Sequence, residues 1–110
     1  MDDRRQELLD ELESHYRSRG WKVERASDGT VRAAGIGGVT WIGLAVLPED
    51  LASPSFDETL LELGSQHMPR GELCPLELLP DPACADDVRR AVSRLRLGER
   101  GHVEIYSVAA

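Results

Sequence analysis

Lysine is almost missing from this sequence. Lys22 stands alone, and 13 Lys and Arg residues face 20 Asp and Glu residues, for a formal net charge of −7. Proteins that grip nucleic acid need clustered Lys and Arg to displace phosphate counterions, so direct DNA or RNA binding is not expected. Cysteine is also scarce. Cys74 and Cys84 can form at most one bridge, so no disulfide framework supports the fold and the thiols are expected to be reduced. No apolar run approaches the roughly 18 residues of a membrane span; the longest, Val39 to Leu47, contains Thr40 and stops at Pro48. The first residues, Met1 to Glu7, are charged and lack the apolar stretch of a secretory leader, which points to a cytoplasmic location and no membrane association.

What is present fits a folded domain. With 110 residues, 41% hydrophobic and 30% charged, the chain is long enough for one core and too short for two, so residues 1–110 are read as a single domain. The acid is unevenly spread. Residues 49–87 hold ten carboxylates and one base, a net charge of −9, whereas 21–48 and 88–110 are slightly positive. Such a segment steers a basic partner and rejects acidic ones. The arginine run Arg89, Arg90, Arg94, Arg96 and Arg100 reads as a solvated helix face paired with nearby acids.

Leu8, Leu9, Leu12 and Tyr16 recur at helical spacing over residues 3–19, with Asp2 or Asp3 as cap and Gly20 as the left-handed stop. From Trp21 the period becomes two. Trp21 and Val23, then Val31 and Ala33, alternate with polar residues around Asp28-Gly29, a hairpin signal. The run Val39 to Leu47 reads as a central strand buried on both faces. Ser55 and Glu58 match a capping box, followed by a helix with Phe56, Leu60, Leu61 and Leu63 inward and Met68 near its end, closed by Pro69-Arg70-Gly71. Leu73 to Leu79 reads as a short strand, with Pro75 favouring an edge or a bulge. Asp81-Pro82 opens a helix with Val88, Ala91, Val92 and Leu95 inward, running to Gly98. Val103, Ile105, Tyr106 and Val108 form a last strand. The expected fold is α+β, a mostly antiparallel or mixed five-stranded sheet in the order α-β-β-β-α-β-α-β.

Chemistry-bearing patterns are weak. Gly35-Ile36-Gly37-Gly38 precedes a strand where a phosphate loop needs a helix, so it reads as a hairpin connection. His67, Cys74, Cys84 and His102 are ligand types, but none lies in the close pairs that zinc sites use, and neither a metal nor another cofactor is expected. Cys84 falls in the first turn of the third helix, where the dipole can lower a thiol pKa, while Asp86 and Asp87 oppose it. As a nucleophile it would need His67 or His102 as base. The carboxylates Glu49, Asp50, Asp57, Glu58, Glu62, Glu72 and Glu77 lack the spacing of a calcium loop. They read mainly as dipole partners and solubilising charge.

Two resemblances follow from the element order. Over roughly the first 80 residues, the helix, three strands and helix–strand unit are similar to the restriction-endonuclease-like nucleases. That family needs an acid on the second strand and E-x-K on the third. Asp28 can stand for the first, but Trp41-Ile42-Gly43-Leu44-Ala45 supplies neither Glu nor Lys, so the resemblance implies a catalytically inactive nuclease-like fold. The segment Leu8 to Val46, with Gly20-Trp21 at the helix-to-strand corner and Asp28-Gly29 in the hairpin, resembles type III secretion chaperone-like and YbjN-like domains. That resemblance implies a small acidic protein-binding module, often dimeric. The functional expectation is thus a non-catalytic protein-binding or regulatory module, chaperone-like or immunity-like, with a basic protein as partner, and either a homodimer through the last strand or packed sheet faces or a monomer in which that strand is internal. The competing expectation is a small enzyme using Cys84 with His67 or His102, or the inactive nuclease-like fold.

Overall fold

The change from helical to alternating spacing at Gly20 marks the first corner of the molecule. The structure is a computed structural model that describes residues 3–26, 29–35, 39–69 and 71–106, with the backbone alone for Arg100. Helix α1 (Asp3–Ser18) buries Leu8, Leu9, Leu12 and Tyr16 and stops at Gly20, whose φ of 80° is open to glycine at no steric cost. Strands β1 (Lys22–Arg25), β2 (Thr30–Ala34) and β3 (Thr40–Val46) then form an antiparallel meander. The β1–β2 turn carries Gly29 at φ 84°, with Asp28 outside the described residues. Of the Gly35–Gly38 connection, Gly35 is described, and its N–H donates to the Val39 carbonyl at 2.8 Å.

After β3 come the four-residue helix α2 (Pro48–Leu51) and helix α3 (Phe56–Leu63). Strand β4 (Leu76–Pro80), helix α4 (Ala85–Arg94) and strand β5 (Val103–Ile105) complete the order. The sheet runs β1-β2-β3-β4-β5, with β3–β4 and β4–β5 parallel, a mixed sheet in an α+β domain as expected. The two faces bury different layers. Ile42, Leu44, Val46, Leu76 and Leu78 pack with Phe56, Leu60, Leu63, Val88 and Ala91 on the α3–α4 side. Val31, Ala33, Ala45 and Leu79 pack with Leu8, Leu9, Leu12 and Tyr16 under α1.

Several local expectations are corrected. Strand β4 is internal and buried at all five positions, because Pro75 lies just before it and contributes a carbonyl that accepts from Ile42 N–H at 2.9 Å. Helix α2 had no sequence forecast. It is set by Pro48 at its first turn and by Asp50, whose carboxylate accepts from Leu47 N–H at 2.8 Å. Ser55 precedes α3 without a side-chain cap, its hydroxyl bonding Ser53 instead. Leu61 faces outward at 44% exposure. The last helix begins with a 3₁₀ turn, Pro82–Cys84, capped by Asp81 accepting from Ala83 N–H at 3.0 Å. It ends at Arg94, short of Gly98, since Arg96 adopts a left-handed φ of 58°. The last strand pairs with β4 and ends at Ile105, while Val108 lies outside the described residues. Among the described residues, no helix is long and apolar enough to cross a membrane.

Candidate functional site

Strand β4 reads Leu-Glu-Leu-Leu-Pro, and its one acid, Glu77, is buried at 2% exposure in the α1-side layer. A carboxylate in that position must be hydrogen-bonded. Tyr16 reaches it from the last buried position of α1, its hydroxyl donating to Glu77 Oε1 at 2.6 Å. Tyr106, one residue beyond β5, donates its hydroxyl to the other oxygen, Oε2. The same phenol oxygen lies 3.3 Å from His15 Nε2. Both phenols are held protonated well above the ordinary tyrosine range, by burial first and then by donation to Glu77.

The approach of Tyr16 depends on an empty place in β3. Gly43 is the parallel-register partner of Glu77. A Cβ built on Gly43 would lie 2.8 Å from the Tyr16 hydroxyl. Around this node the aromatic side chains gather. Tyr16 stacks on Trp21 with centroids 5.9 Å apart, Trp21 on Trp41 at 5.0 Å, and His15 meets Tyr106 edge-on at 5.2 Å. Of the five Phe, Trp and Tyr residues of the chain, Phe56 alone lies elsewhere, in the opposite layer. A recess of about 210 Å³ opens here, lined by His15, Arg19, Trp21, Trp41, Glu77, Glu104 and Tyr106. Trp41 Nε1 is buried and has no hydrogen-bond partner among the described residues.

The forecast site residues lie apart from this node. Cys84 is buried at 2% exposure, and its thiol donates to the Val46 carbonyl at 3.6 Å. Burial, and then the charge of Asp81, push that thiol up from the ordinary cysteine value. Cys74 is buried and likewise pushed up by desolvation. His67 is exposed and bridges to Leu73. His102 Nε2 donates to the Gly64 carbonyl at 2.7 Å, so it is engaged away from Cys84. Among the described residues, no group of three His, Cys, Asp or Glu side chains is arranged to hold a metal.

The other carboxylates named from sequence stay at the surface or pair there. Asp50 forms a two-pronged pair with Arg5 at 2.7 and 3.1 Å, and Asp57 a similar pair with Arg94 at 2.7 and 2.9 Å. Arg94 holds the Asp57 carboxyl below its usual range. Arg89, Arg90 and Arg96 pair with Asp86, Asp87 and Glu99, which bears out the solvated reading of that run at its described side chains. Strand β3 bears neither acid nor lysine, and Asp28 lies outside the described residues, so the nuclease constellation is not assembled among those described.

The sequence pattern names Glu77 only as one acid among seven, and counts Tyr16 on the apolar face of the first helix and Tyr106 in the last strand. The usable signal is a lone acid inside an apolar strand, which requires donors; among the described residues these are the buried Tyr16 and the part-buried Tyr106. Compared with known proteins, the chain matches no family model, no curated protein and no solved structure.

Proposed function

We propose that this chain is a non-catalytic protein-binding module whose partner presents a basic surface. The observation that carries the reading is the outward face of α3. Leu61 stands 44% exposed there, beside the exposed carboxylates of Glu58 and Glu62. Leu61 and Glu62 lie three and four residues after Glu58, on its side of the helix. Among the described residues neither acid has a cation in salt-bridge range, although most arginines are engaged with other acids. An apolar side chain ringed by uncompensated negative charge suits a partner with a shallow apolar pocket and a Lys or Arg rim. The resemblance of the first half to secretion chaperone-like domains supports the same class of function.

The enzyme alternative would rest on Cys84, and a thiol pushed up in pKa and held at a carbonyl is poorly suited to attack. Two measurements test the proposal. Capture from lysate by the wild-type chain, compared with Leu61→Asp and Glu58→Lys/Glu62→Lys baits, should yield salt-sensitive partners that both variants lose while retaining their circular dichroism. An unchanged set of captured proteins overturns the α3 assignment. Alkylation of native Cys84 faster than a model thiol at neutral pH overturns the non-catalytic reading.

A further inference from the structure

The recess beside Tyr106 is lined by acids on the sheet and by a cation at the end of α1. Glu77 and Glu104 are partners in the β4–β5 register, and Gly43 is the partner of Glu77 on its other side. Strand alternation turns Trp41, two residues before Gly43, and Tyr106, two residues after Glu104, to the same face as these acids. That is the face α1 covers. His15, from the last turn of α1, and Arg19, one residue past the helix, close the recess from the other side, and the space enclosed is about 210 Å³.

The charges facing this space are uncompensated. Two phenols bond Glu77, but among the described residues no cation lies in salt-bridge range of it or of Glu104. Acids directly opposite each other in a sheet repel, and a buried carboxylate without a counter-ion is costly. Arg19 has no carboxylate partner among the described residues either. Its guanidinium carbon sits 5.8 Å from the Trp21 ring centroid, a contact that gives its N–H donors no acceptor. After burial and Glu77, the charge of Glu104 raises the Tyr106 phenol and that of Arg19 lowers it, so both stand near one hydroxyl. They do not pair with each other. A bare cation entering here meets Arg19 and a bare anion meets two carboxylates, whereas a molecule carrying both charges satisfies each wall.

We infer that the recess binds a free α-amino acid with a small side chain, its ammonium held by Glu104 and Glu77 and its carboxylate by Arg19. The volume equals the liquid share of about seven waters, which suits a molecule the size of alanine or serine. Glu77 can still accept, because a carboxylate offers about four lone-pair sites and the phenols take two. Arg19 can meet the ligand carboxylate with two parallel N–H donors. This goes beyond the protein-binding reading, since it uses the α1 side of the sheet and a different ligand class.

The test titrates the full chain with L-alanine and L-serine while following the amide resonances of Glu104 and Tyr106. Both amino acids should shift them saturably. Propionate, which lacks the ammonium, and ethylammonium, which lacks the carboxylate, should each bind about ten-fold more weakly or worse. Arg19→Gln and Glu104→Gln change exposed side chains, so the fold should hold, with α3 resonances unmoved as the check. Each should weaken alanine binding about ten-fold. No saturable shift up to about 10 mM of either amino acid overturns the site, as does an affinity unchanged in either variant. Propionate or ethylammonium binding as tightly as alanine overturns recognition of both charges and leaves simple ion attraction.

Discussion

At Gly43 one missing methyl group lets the Tyr16 phenol reach the buried carboxylate on β4. Gly43→Ala puts a Cβ 2.8 Å from the Tyr16 hydroxyl, and since the sheet backbone cannot yield, the phenol must leave Glu77. The expected cost is about 1–3 kcal/mol, read from the urea midpoint. Tyr16→Phe keeps the ring and strands Glu77 Oε1 without its donor, for a similar loss of about 1–3 kcal/mol. The same node sets the alkaline limit of stability. Burial and Glu77 raise both phenols above the ordinary 10.0, so their contribution is whole below that pH and falls away as pH rises through their folded values. In that range the unfolded phenols release protons that the folded ones retain. Wild-type stability should therefore drop from about pH 10 upward, and a Tyr16→Phe/Tyr106→Phe chain should show a shallower fall over the same range. Equal slopes would mean that these phenols titrate normally.

Each helix answers to one face of the sheet, and the sheet keeps the two apolar layers apart. Leu12 of α1 and Leu60 of α3 are fully buried in different layers. Leu12→Ala and Leu60→Ala should each cost about 2–5 kcal/mol. Because they share no packing partner, the double variant should add to within about 0.5 kcal/mol, whereas marked non-additivity would show that strain crosses the sheet. Trp41 differs from its strand neighbours. It is half-buried against Trp21, so Trp41→Ala tests an aromatic stack as well as burial, while Ile42, at 0% exposure, tests the core itself. Element identity was legible wherever the apolar period was long, as in α1 and β3. It failed where one residue was ambiguous. The apolar pattern places Pro75 inside a strand, whereas it precedes that strand, and this turns an internal strand into an expected edge. The pattern carries the helix through Arg96 because a left-handed arginine leaves no trace in an apolar period.

A radius of gyration of 13.3 Å is that of one folded domain of this length. Its two edge strands, β1 and β5, have only four and three residues, and both carry charge at Lys22, Glu24, Arg25 and Glu104. Short charged edges resist pairing with another copy. Light scattering at micromolar concentration tests the homodimer: a monomer mass near 12 kDa that persists on concentration would sink it. A dimer that Ile105→Lys dissolves without unfolding would restore the edge interface. Composition and periodicity determined the fold class, the buried face of α1, the central position of β3 and the weakness of any metal or nucleophile motif, because each follows from local spacing and net charge. Glu77 meeting Tyr16 and Tyr106 across 61 and 29 residues, and the parallel placement of β4 and β5, were decided only by tertiary structure. Strand order and side-chain meeting depend on how chain segments distant in sequence pack, which no local period encodes.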